Sequence, residues 1–500
     1  MQTSTYIKGT ITQSIKLYII LSVSILFIPD IHAQYKLDWA QIYGGDARDE
    51  AFCIIENHNG ELILGGYTKQ QEKHLWIISV DENGQALWGK TFKARPISEA
   101  RSIAITSDSN LVVAGYSVKE FLSEREMWIL KISREGKLIW EKSFGGIADE
   151  CAYSIVETYD EGFAIAGFSS TNENFEEDAW ILKLDKNGNK IWDNRYGQSG
   201  KDYAYDIAQT KDKGLVFCGY QSKRSDAHMS FWLAKTDSAG NDLWDNIYHF
   251  NKWDVATTLV EGLDGYIYVA GYTRASSIID YDVAILKIDQ EGNEIWKKTI
   301  SWGRWDQATS ITTTYDNGIV IAGFTRSGKE MSSDFAVTKI DSAGNVLWEN
   351  VFARKSLDYP NAVIETRDNG LAIAGTTYTQ GRGWDFALLK FKNEDQPTIS
   401  FSQDSVATSI TNNYTLRSCI KTKSNLKNVQ VFFNDTLFKG QIKRAPAHMQ
   451  TKPDCNIQIP LELELKKGLN RIKVVITDYK NHQIISECKV YFIPPSEIVW

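Results

Sequence analysis

The chain has 500 residues, of which 43% are apolar, 24% are charged and 9 are proline, a composition typical of a globular protein rather than a disordered or fibrous one. Lysine and arginine number 55 against 63 acidic residues, so the net charge is −8 and there is no basic excess to bind nucleic acid or an anionic membrane. The 16 tryptophans, 23 tyrosines, 21 phenylalanines and 35 glycines favour short strands and tight turns, and we expect an all-β protein.

The first 33 residues have the pattern of a secretory signal peptide. Lys8 and Lys16 precede an apolar run at 17–28, and Ala33 offers a small residue at a cleavage position. A retained membrane anchor needs about 20 apolar residues, and no later segment approaches that length. We therefore expect residues 1–33 to be removed and the mature chain, without a membrane span, to be exported to the periplasm or the exterior.

Residues 34–394 contain seven copies of one repeat. A tryptophan recurs with a spacing of 49 and then five spacings of 52 residues, at Trp39, Trp88, Trp140, Trp192, Trp244, Trp296 and Trp348. A glycine recurs in its own register, at Gly66, Gly115, Gly167, Gly219, Gly271, Gly323 and Gly375. Such a fixed period is typical of repeat architectures.

Each repeat reads as four short strands joined by hairpin turns. In the third repeat these segments are ECAYSIVET, FAIAGFSS, DAWILKLD and KIWDNRY. Turns of the type Asp185-Lys-Asn-Gly188 separate the third and fourth segments, because Asp bonds its own backbone and Gly accepts positive φ. Four strands in about 52 residues form a propeller blade.

The two ends of the repeat region complete each other. The last set of three strands, ending near LLKFK, has no fourth strand after it, whereas LDWAQIYGG around Trp39 is a fourth strand with no set before it. We therefore predict a seven-bladed β-propeller whose N-terminal strand completes the seventh blade.

The repeat also resembles a known group of proteins. Its unit W-x-K-x-[YF]-G-G, D-x-G, A-G-[YF], D-x-W-I-L-K-L-D-x-x-G-N is similar to that of secreted repeat propellers of Bacteroidota, over residues 34–394. The L-D-x-x-G-x-x-x-W part resembles the tryptophan motif of quinoprotein-like propellers, although the adjacent cysteine pair that many quinoprotein dehydrogenases carry is missing. The resemblance implies an exported propeller, and it does not extend to quinone binding.

Residues 395–500 lack the period and form a second region. Six segments read as strands, namely TISFSQ, YTLRSCIKT, NVQVFFND, CNIQIPLELEL, NRIKVVITD and QIISECKVYFI. This density of strands predicts a small β-sandwich that resembles the immunoglobulin-like modules of secreted bacterial proteins. The six cysteines include no CxxC pair, and we expect most of them to be small buried residues.

The sequence carries no catalytic signature. It has no HExxH, GxSxG, GxGxxG or GxxxxGK[ST] motif, so we predict no catalytic residues, no metal ligands and no organic cofactor. On the third strands, Trp76, Trp128, Trp180 and Trp232 are expected to pack between sheets. The lysines that follow them in register, such as Lys183, are expected to pair between blades or with turns.

An acidic register precedes the first strand of almost every blade. Its members are Asp49, Ser98, Glu150, Asp202, Asp254, Asp306 and Asp358. Two interpretations are open: a carboxylate ring at one mouth of the channel that binds a ligand or Ca²⁺, or a set of backbone caps repeated because the blade is repeated. The second explains a residue present in nearly every blade, and we favour it.

Two blades depart from the repeat just before this acid. Trp253 precedes Asp254, while Trp302 and Trp305 precede Asp306. Three indole rings beside carboxylates suit a sugar ring, so these residues, with Asp202 and Asp358, are the candidate ligand-binding set. The alternative is that the rings pack between blades.

These observations favour an exported binding protein that recognises a glycan or another envelope or extracellular protein. One alternative is a polysaccharide-acting propeller hydrolase or lyase that uses paired carboxylates. A second alternative is a structural scaffold.

Overall fold

The computed structural model shows an all-β chain with no helix among the described residues. It describes residues 35–393 apart from short segments at 46, 94–96, 119–123, 147, 172–175, 198–199, 224–225, 275–279, 327–332, 353–357 and 380–382, and beyond them the backbone of strands between 398 and 492. The chain divides into two compact units, one containing 37–366 and 370–391 and the other containing 392–500 together with the short segments 34–36 and 367–369.

Seven four-stranded antiparallel sheets make up the larger unit, in which strands are numbered from β1 (Tyr35–Tyr43). Six of them follow chain order: β2 (Arg48–Glu56), β3 (Leu62–Lys69), β4 (Lys73–Val80), β5 (Ala86–Phe92); β6 (Ser98–Ile105), β7 (Leu111–Val118), β8 (Arg125–Ile132), β9 (Leu138–Phe144); β10 (Glu150–Glu157), β11 (Phe163–Thr171), β12 (Glu176–Leu184), β13 (Lys190–Tyr196); β14 (Tyr203–Gln209), β15 (Leu215–Lys223), β16 (Asp226–Thr236), β17 (Asp242–Tyr248); β18 (Trp253–Glu261), β19 (Ile267–Arg274), β20 (Tyr281–Ile288), β21 (Glu294–Ile300); β22 (Gln307–Thr313), β23 (Ile319–Arg326), β24 (Ser333–Ile340), β25 (Val346–Phe352). We call these sheets blades one to six.

The seventh blade is built from both ends of the repeat region. It contains β26 (Asp358–Glu365), β27 (Leu371–Thr379) and β28 (Gly383–Asn393), and β1 lies beside β28 as its fourth strand. The predicted seven-bladed propeller, closed by its N-terminal strand, is therefore confirmed. Closure leaves no blade with a missing strand, which removes an edge that could pair with another chain.

The first strand of each blade lies innermost, since it contacts the first strands of both neighbouring blades. Each first strand also carries a β-bulge at one register, where a single residue has no partner on the second strand. The seven bulged residues, here called the bulge ring, are Phe52, Arg101, Tyr153, Tyr205, Thr257, Thr309 and Asn361.

The core lies between blades. Each hydrophobic cluster combines strands of two neighbours, as where Trp76 of blade one packs 4.4 Å, centroid to centroid, from Phe386 of blade seven. The four third-strand tryptophans predicted to pack between sheets are buried in such clusters, with Trp232 fully buried: Trp76, Trp128, Trp180 and Trp232. Because a neighbouring blade covers each face of a sheet, the central strands are apolar on both faces and do not alternate between apolar and polar residues.

In six of the seven repeats the fourth-strand tryptophan packs against a turn of the next blade. Trp244 lies against Gly292 in the turn between the third and fourth strands of blade five, and its indole N–H donates to Gln290 O at 3.0 Å. Gly292 has φ +83°, and a Cβ there would lie 2.9 Å from Trp244 Cδ2. Trp39 of β1 makes the same contact with Gly84 in blade one, which joins the ends of the ring.

The third-strand lysines pair with the turn between the first two strands of their own blade. Lys339, with a fully buried side chain, lies 2.6 Å from Asp316. The same pair recurs as Lys131–Asp108, Lys183–Asp160, Lys235–Asp212 and Lys287–Asp264. The expectation that these lysines pair with turns is thus confirmed. We call this end of the propeller the lower rim, and the end with the loops that enter the first strands the upper rim.

Three cysteines of the propeller, Cys53, Cys151 and Cys218, are free and buried, as expected of small core residues. Burial raises the pKa of the Cys53 and Cys151 thiols to about 12. The side chains of Cys419, Cys455 and Cys488 lie outside the described residues.

The smaller unit contains two sheets. The strand order of the first is β29-β31-β34 and that of the second is β30-β36-β35-β32-β33. Their strands are β29 (Thr398–Phe401), β30 (Val406–Ser409), β31 (Asn413–Lys421), β32 (Asn428–Phe433), β33 (Thr436–Leu437), β34 (Ile457–Glu464), β35 (Gly468–Thr477) and β36 (Gln483–Phe492). All six segments predicted from the sequence contain strand, whereas the immunoglobulin-like assignment stays a prediction.

Candidate functional site

The acidic register is buried at the upper rim and bonded to the loops that precede it. Asp254 is 1% exposed, and its carboxylate accepts from Phe250 N at 2.9 Å, Asn251 N at 3.0 Å and the Thr273 hydroxyl at 2.6 Å. These donors hold the loop that enters β18. They match the backbone-cap interpretation of this register.

The same arrangement recurs at the other candidate acids. Asp306 is fully buried and accepts from Trp302 N at 2.7 Å and Gly303 N at 2.9 Å. Asp202 accepts from Ser222 N at 3.0 Å, and Asp358 accepts from the Thr377 hydroxyl at 2.5 Å. Each acid therefore serves its own blade.

The acids form no metal centre among the parts of the chain that the structure describes, where no group of three or more acidic, histidine or cysteine side chains could hold an ion. The ligand role predicted for Asp202, Asp254, Asp306 and Asp358 stays a prediction. Because these carboxylates are at most 2% exposed, a ligand would meet them only after movement of the loops above them.

Two of the three candidate tryptophans lie in one row on the upper rim. The row, here called the Trp–Arg row, consists of Trp253, Arg274, Tyr281, Trp305 and Arg326. The Arg274 guanidinium lies 5.1 Å from the Trp253 ring centroid and 5.8 Å from that of Tyr281, and the Tyr281 and Trp305 centroids are 5.7 Å apart. Arg326 covers Trp305 at 3.9 Å. All five side chains are partly exposed.

Trp302 does not belong to this row. Its indole N–H donates to Thr338 Oγ1 at 2.7 Å, and its ring packs on the core between blades five and six, next to Gly323. The packing alternative therefore describes Trp302. Sequence spacing alone gave no way to tell its ring from that of Trp305.

Two donors of the Trp–Arg row have no partner among the described residues. They are the indole N–H of Trp305 and Nε of Arg326, both buried from bulk solvent. A buried donor without an acceptor is costly, so both atoms favour a ligand that brings acceptor oxygens.

The bulge ring was missed by the sequence analysis. Its residues occupy the position after the alanine of the acidic register, where blades one to four have large side chains and blades five to seven have small polar ones. This change in side-chain size along one register was the signal in the sequence that could have pointed to the bulge ring. All seven residues are partly exposed, whereas the alanine or proline that precedes each one is buried.

Charged groups surround the bulge ring at blades one and two. Glu99 is fully buried and binds both Lys73 Nζ and Arg101 Nη2. The Lys73 ammonium lies 3.9 Å from the Tyr67 ring centroid, and the Arg101 guanidinium lies 4.3 Å from that of Phe52. Two cations thus share one carboxylate, with aromatic rings beneath them.

A cluster of tyrosines continues this wall through blades three and four. The Tyr153 and Tyr205 centroids are 5.0 Å apart, and Tyr203 lies 5.9 Å from Tyr205 and 5.2 Å from Tyr220. Burial raises the pKa of Tyr153 and Tyr205 far above the usual range of a phenol. These hydroxyls therefore remain neutral at physiological pH.

Comparisons with known proteins identify no family for this chain. No family model and no curated protein sequence matches this chain. Among solved structures, a protein of unknown function from Dyadobacter fermentans is 11% identical, with a TM-score of 0.46, over 73% of this chain and 100% of that one.

Two further structures are similar in the same limited sense. The β-propeller domain of the Trilobed protease from Pyrococcus furiosus is 12% identical with a TM-score of 0.40, over 72% of this chain and 95% of that one. An extracellular domain from B. thetaiotaomicron is 8% identical with a TM-score of 0.22, over 89% and 81% of the two chains. Among the described residues, no helix has the length and apolarity needed to cross a membrane.

Proposed function

We propose that this protein is an exported, non-catalytic binding protein whose ligand is a glycan that docks on the Trp–Arg row. The observation that carries the proposal is the continuous run of partly exposed indole, phenol and guanidinium groups across blades five and six. Aromatic faces stack on the apolar faces of sugars, and guanidinium groups donate to hydroxyl oxygens beside them.

The hydrogen bonds of the acids support binding rather than hydrolysis. A glycosidase needs one carboxyl group to give up a proton and another to act as base or nucleophile. Both oxygens of Asp254 already accept backbone or hydroxyl donors, and Oδ2 of Asp306 accepts two backbone N–H groups. Those bonds hold the carboxylates in place as caps of their own loops, where they are not free to move toward a glycosidic bond.

Export belongs to the proposal and rests on the pattern at residues 1–33, which lie outside the described residues. The immunoglobulin-like module and the likeness to Bacteroidota repeat propellers belong to it as well. An exported propeller with a separate β-rich unit suits a protein that holds an extracellular ligand on one domain and is extended by another.

The test is a panel of soluble polysaccharides, with the melting temperature of the purified protein as readout. A ligand that binds only the native state raises that temperature. For any glycan that does so, we expect Trp305→Ala to raise the dissociation constant by about tenfold or more, since a tryptophan that a ligand covers is a common hot spot. Tyr159→Ala, which removes a 64% exposed ring at the lower rim, is the matched control and should bind as the wild type does.

Two outcomes would contradict the proposal. The first is that no glycan in the panel shifts the melting temperature, and the second is that the Trp305→Ala protein binds as tightly as the wild type. New reducing ends that disappear in Asp306→Asn would instead show a hydrolase.

A further inference from the structure

The bulge ring divides into two arcs that differ in what their side chains do. In blades five to seven the bulged residue donates to the first strand of the next blade: Thr257 to Ala308 O at 2.8 Å, Thr309 to Pro360 O at 2.7 Å, and Asn361 to Ala51 O at 2.5 Å. These three bonds join neighbouring first strands around the channel, so their role is structural.

In blades one to four the same register holds Phe52, Arg101, Tyr153 and Tyr205. Phe52 has no donor, and Nε of Arg101 is buried with no hydrogen-bond partner among the described residues. The joining bond of the first arc is thus replaced by a wall of three aromatic rings and one guanidinium. A departure from the repeat that gives up a structural bond points to function rather than architecture.

The charge of this wall is positive although the protein is acidic. Lys73 and Arg101 share the single carboxylate of Glu99, which leaves one cation uncompensated within this group, whereas the whole chain carries −8. Arg101 retains 30% of its side-chain exposure while Glu99 has none. The buried carboxylate therefore fixes the guanidinium from behind and leaves part of it open to the channel.

Arg101 and the tyrosines face the same space. They occupy the same bulge position in three successive blades, whose first strands are in contact around the channel. The two phenol rings are in contact, with centroids 5.0 Å apart. A ligand in this part of the channel would meet a planar cation beside two apolar faces.

We propose that Phe52, Arg101, Tyr153 and Tyr205 form a second site, in the channel, that binds the carboxylate-bearing ring of a uronic acid in an acidic glycan. The guanidinium fork of Arg101 matches a carboxylate, and the two phenol rings stack on the sugar. This inference rests on the proposed glycan binding and names the class of glycan. A neutral sugar would leave the surplus cation without a partner.

The experiment compares a galacturonate trisaccharide with its methyl ester by isothermal titration calorimetry on the full chain. The ester has the same rings and lacks only the charge. We expect the acid to bind the wild type about tenfold or more tightly than the ester, and the Arg101→Gln protein to bind both alike. Arg134→Gln removes an exposed arginine that pairs with Glu135, and it should behave as the wild type does.

A conservative variant keeps the test valid if Arg101→Gln leaves Glu99 with too few partners to fold. Arg101→Lys retains the charge next to Glu99 and loses the planar fork, so the preference for the acid should fall while the melting temperature without ligand stays near that of the wild type.

Three results would overturn the inference: equal binding of acid and ester by the wild type, a preference for the acid that survives in both Arg101 variants, or binding of triglutamate in place of the trisaccharide. These failures differ from failure of the proposed function. If only the second site is wrong, neutral glycans still bind and still depend on Trp305; if the proposed function is wrong, no glycan binds at either site.

Discussion

The contact between Trp244 and Gly292 predicts a specific coupling between two neighbouring blades. Gly292 has φ +83°, and its added Cβ would lie 2.9 Å from the indole ring. Gly265 has nearly the same φ, +81°, but nothing lies within 4 Å of its added Cβ. Gly265→Ala therefore reports the cost of the left-handed backbone alone, about 1–2 kcal/mol. Gly292→Ala adds the displacement of the tryptophan and of Asn246 Nδ2, which would lie 2.6 Å from the new Cβ, and overpacking series place such displacements at about 1–3 kcal/mol.

The tryptophan can be removed to test this assignment. Trp244→Ala loses a partly buried ring and the hydrogen bond to Gln290, and we expect it to cost about 3 kcal/mol. In the Trp244→Ala background the new Cβ still meets Asn246 Nδ2, 2.6 Å away, so Gly292→Ala should cost less than in the wild-type background and somewhat more than Gly265→Ala. The coupling energy is the part of the extra cost that the indole ring contributes, about 1–2 kcal/mol.

The assay is urea unfolding followed by circular dichroism for the wild type, the three single variants and the double variant. Equal costs of Gly292→Ala and Gly265→Ala in the wild type would refute the reasoning. So would an extra cost at Gly292 that is as large without Trp244 as with it. Either result would mean that the repeated tryptophan does not transmit stability between blades.

Three further predictions concern stability and reactivity. Asn361→Ala removes the bond to Ala51 that joins blade seven to blade one, and it should lower the free energy of unfolding by about 1–2 kcal/mol in urea titrations, whereas an unchanged value would show that the bond adds nothing. At Asp264, burial alone would raise the pKa, but hydrogen bonds from Lys287 and Tyr268 outweigh it and lower the pKa; the stability that this carboxylate contributes is therefore complete above about pH 4 and lost at lower pH, so wild type and Asp264→Asn should converge in acid and stay apart at pH 7. Cys53, Cys151 and Cys218 should resist iodoacetamide at pH 8 in the native protein and react after unfolding, because all three thiols are buried. Peptide mass mapping measures the labelling, and labelling of the native protein would contradict their burial.

The architecture could be predicted because the period itself encodes it. The spacing of Trp39 from the second tryptophan and the missing fourth strand at the end of the repeats were enough to predict closure of the seventh blade by β1. The bulge was not predictable in the same way, since every first strand contains it and the extra residue leaves the period unchanged. Only the side chains at the bulge register vary between blades, and whether such a side chain bonds to the next blade or lines the channel depends on the neighbouring strand.

The sequence predicted the positions of the candidate site residues but not the groups that they contact. The acid before each first strand was found from its spacing, but its partners are backbone N–H groups that the sequence does not distinguish, such as those that Phe250 and Asn251 donate to Asp254. Trp302 and Trp305 are three residues apart, yet one ring packs in the core and the other lies under Arg326. Which ring turns inward depends on the space beside Gly323 in the next sheet, a tertiary fact.

The central claim is that a glycan docks on the upper rim of the propeller, and hydrogen exchange tests it most directly. The loops at 249–254 and 301–306 hold the amides next to the Trp–Arg row, whereas the lower-rim turns lie at the opposite end of each strand. With a glycan that raises the melting temperature, we predict slower exchange in these two loops and unchanged exchange in the lower-rim turns. Protection confined to the lower-rim turns, with unchanged exchange in the two loops, would contradict the account.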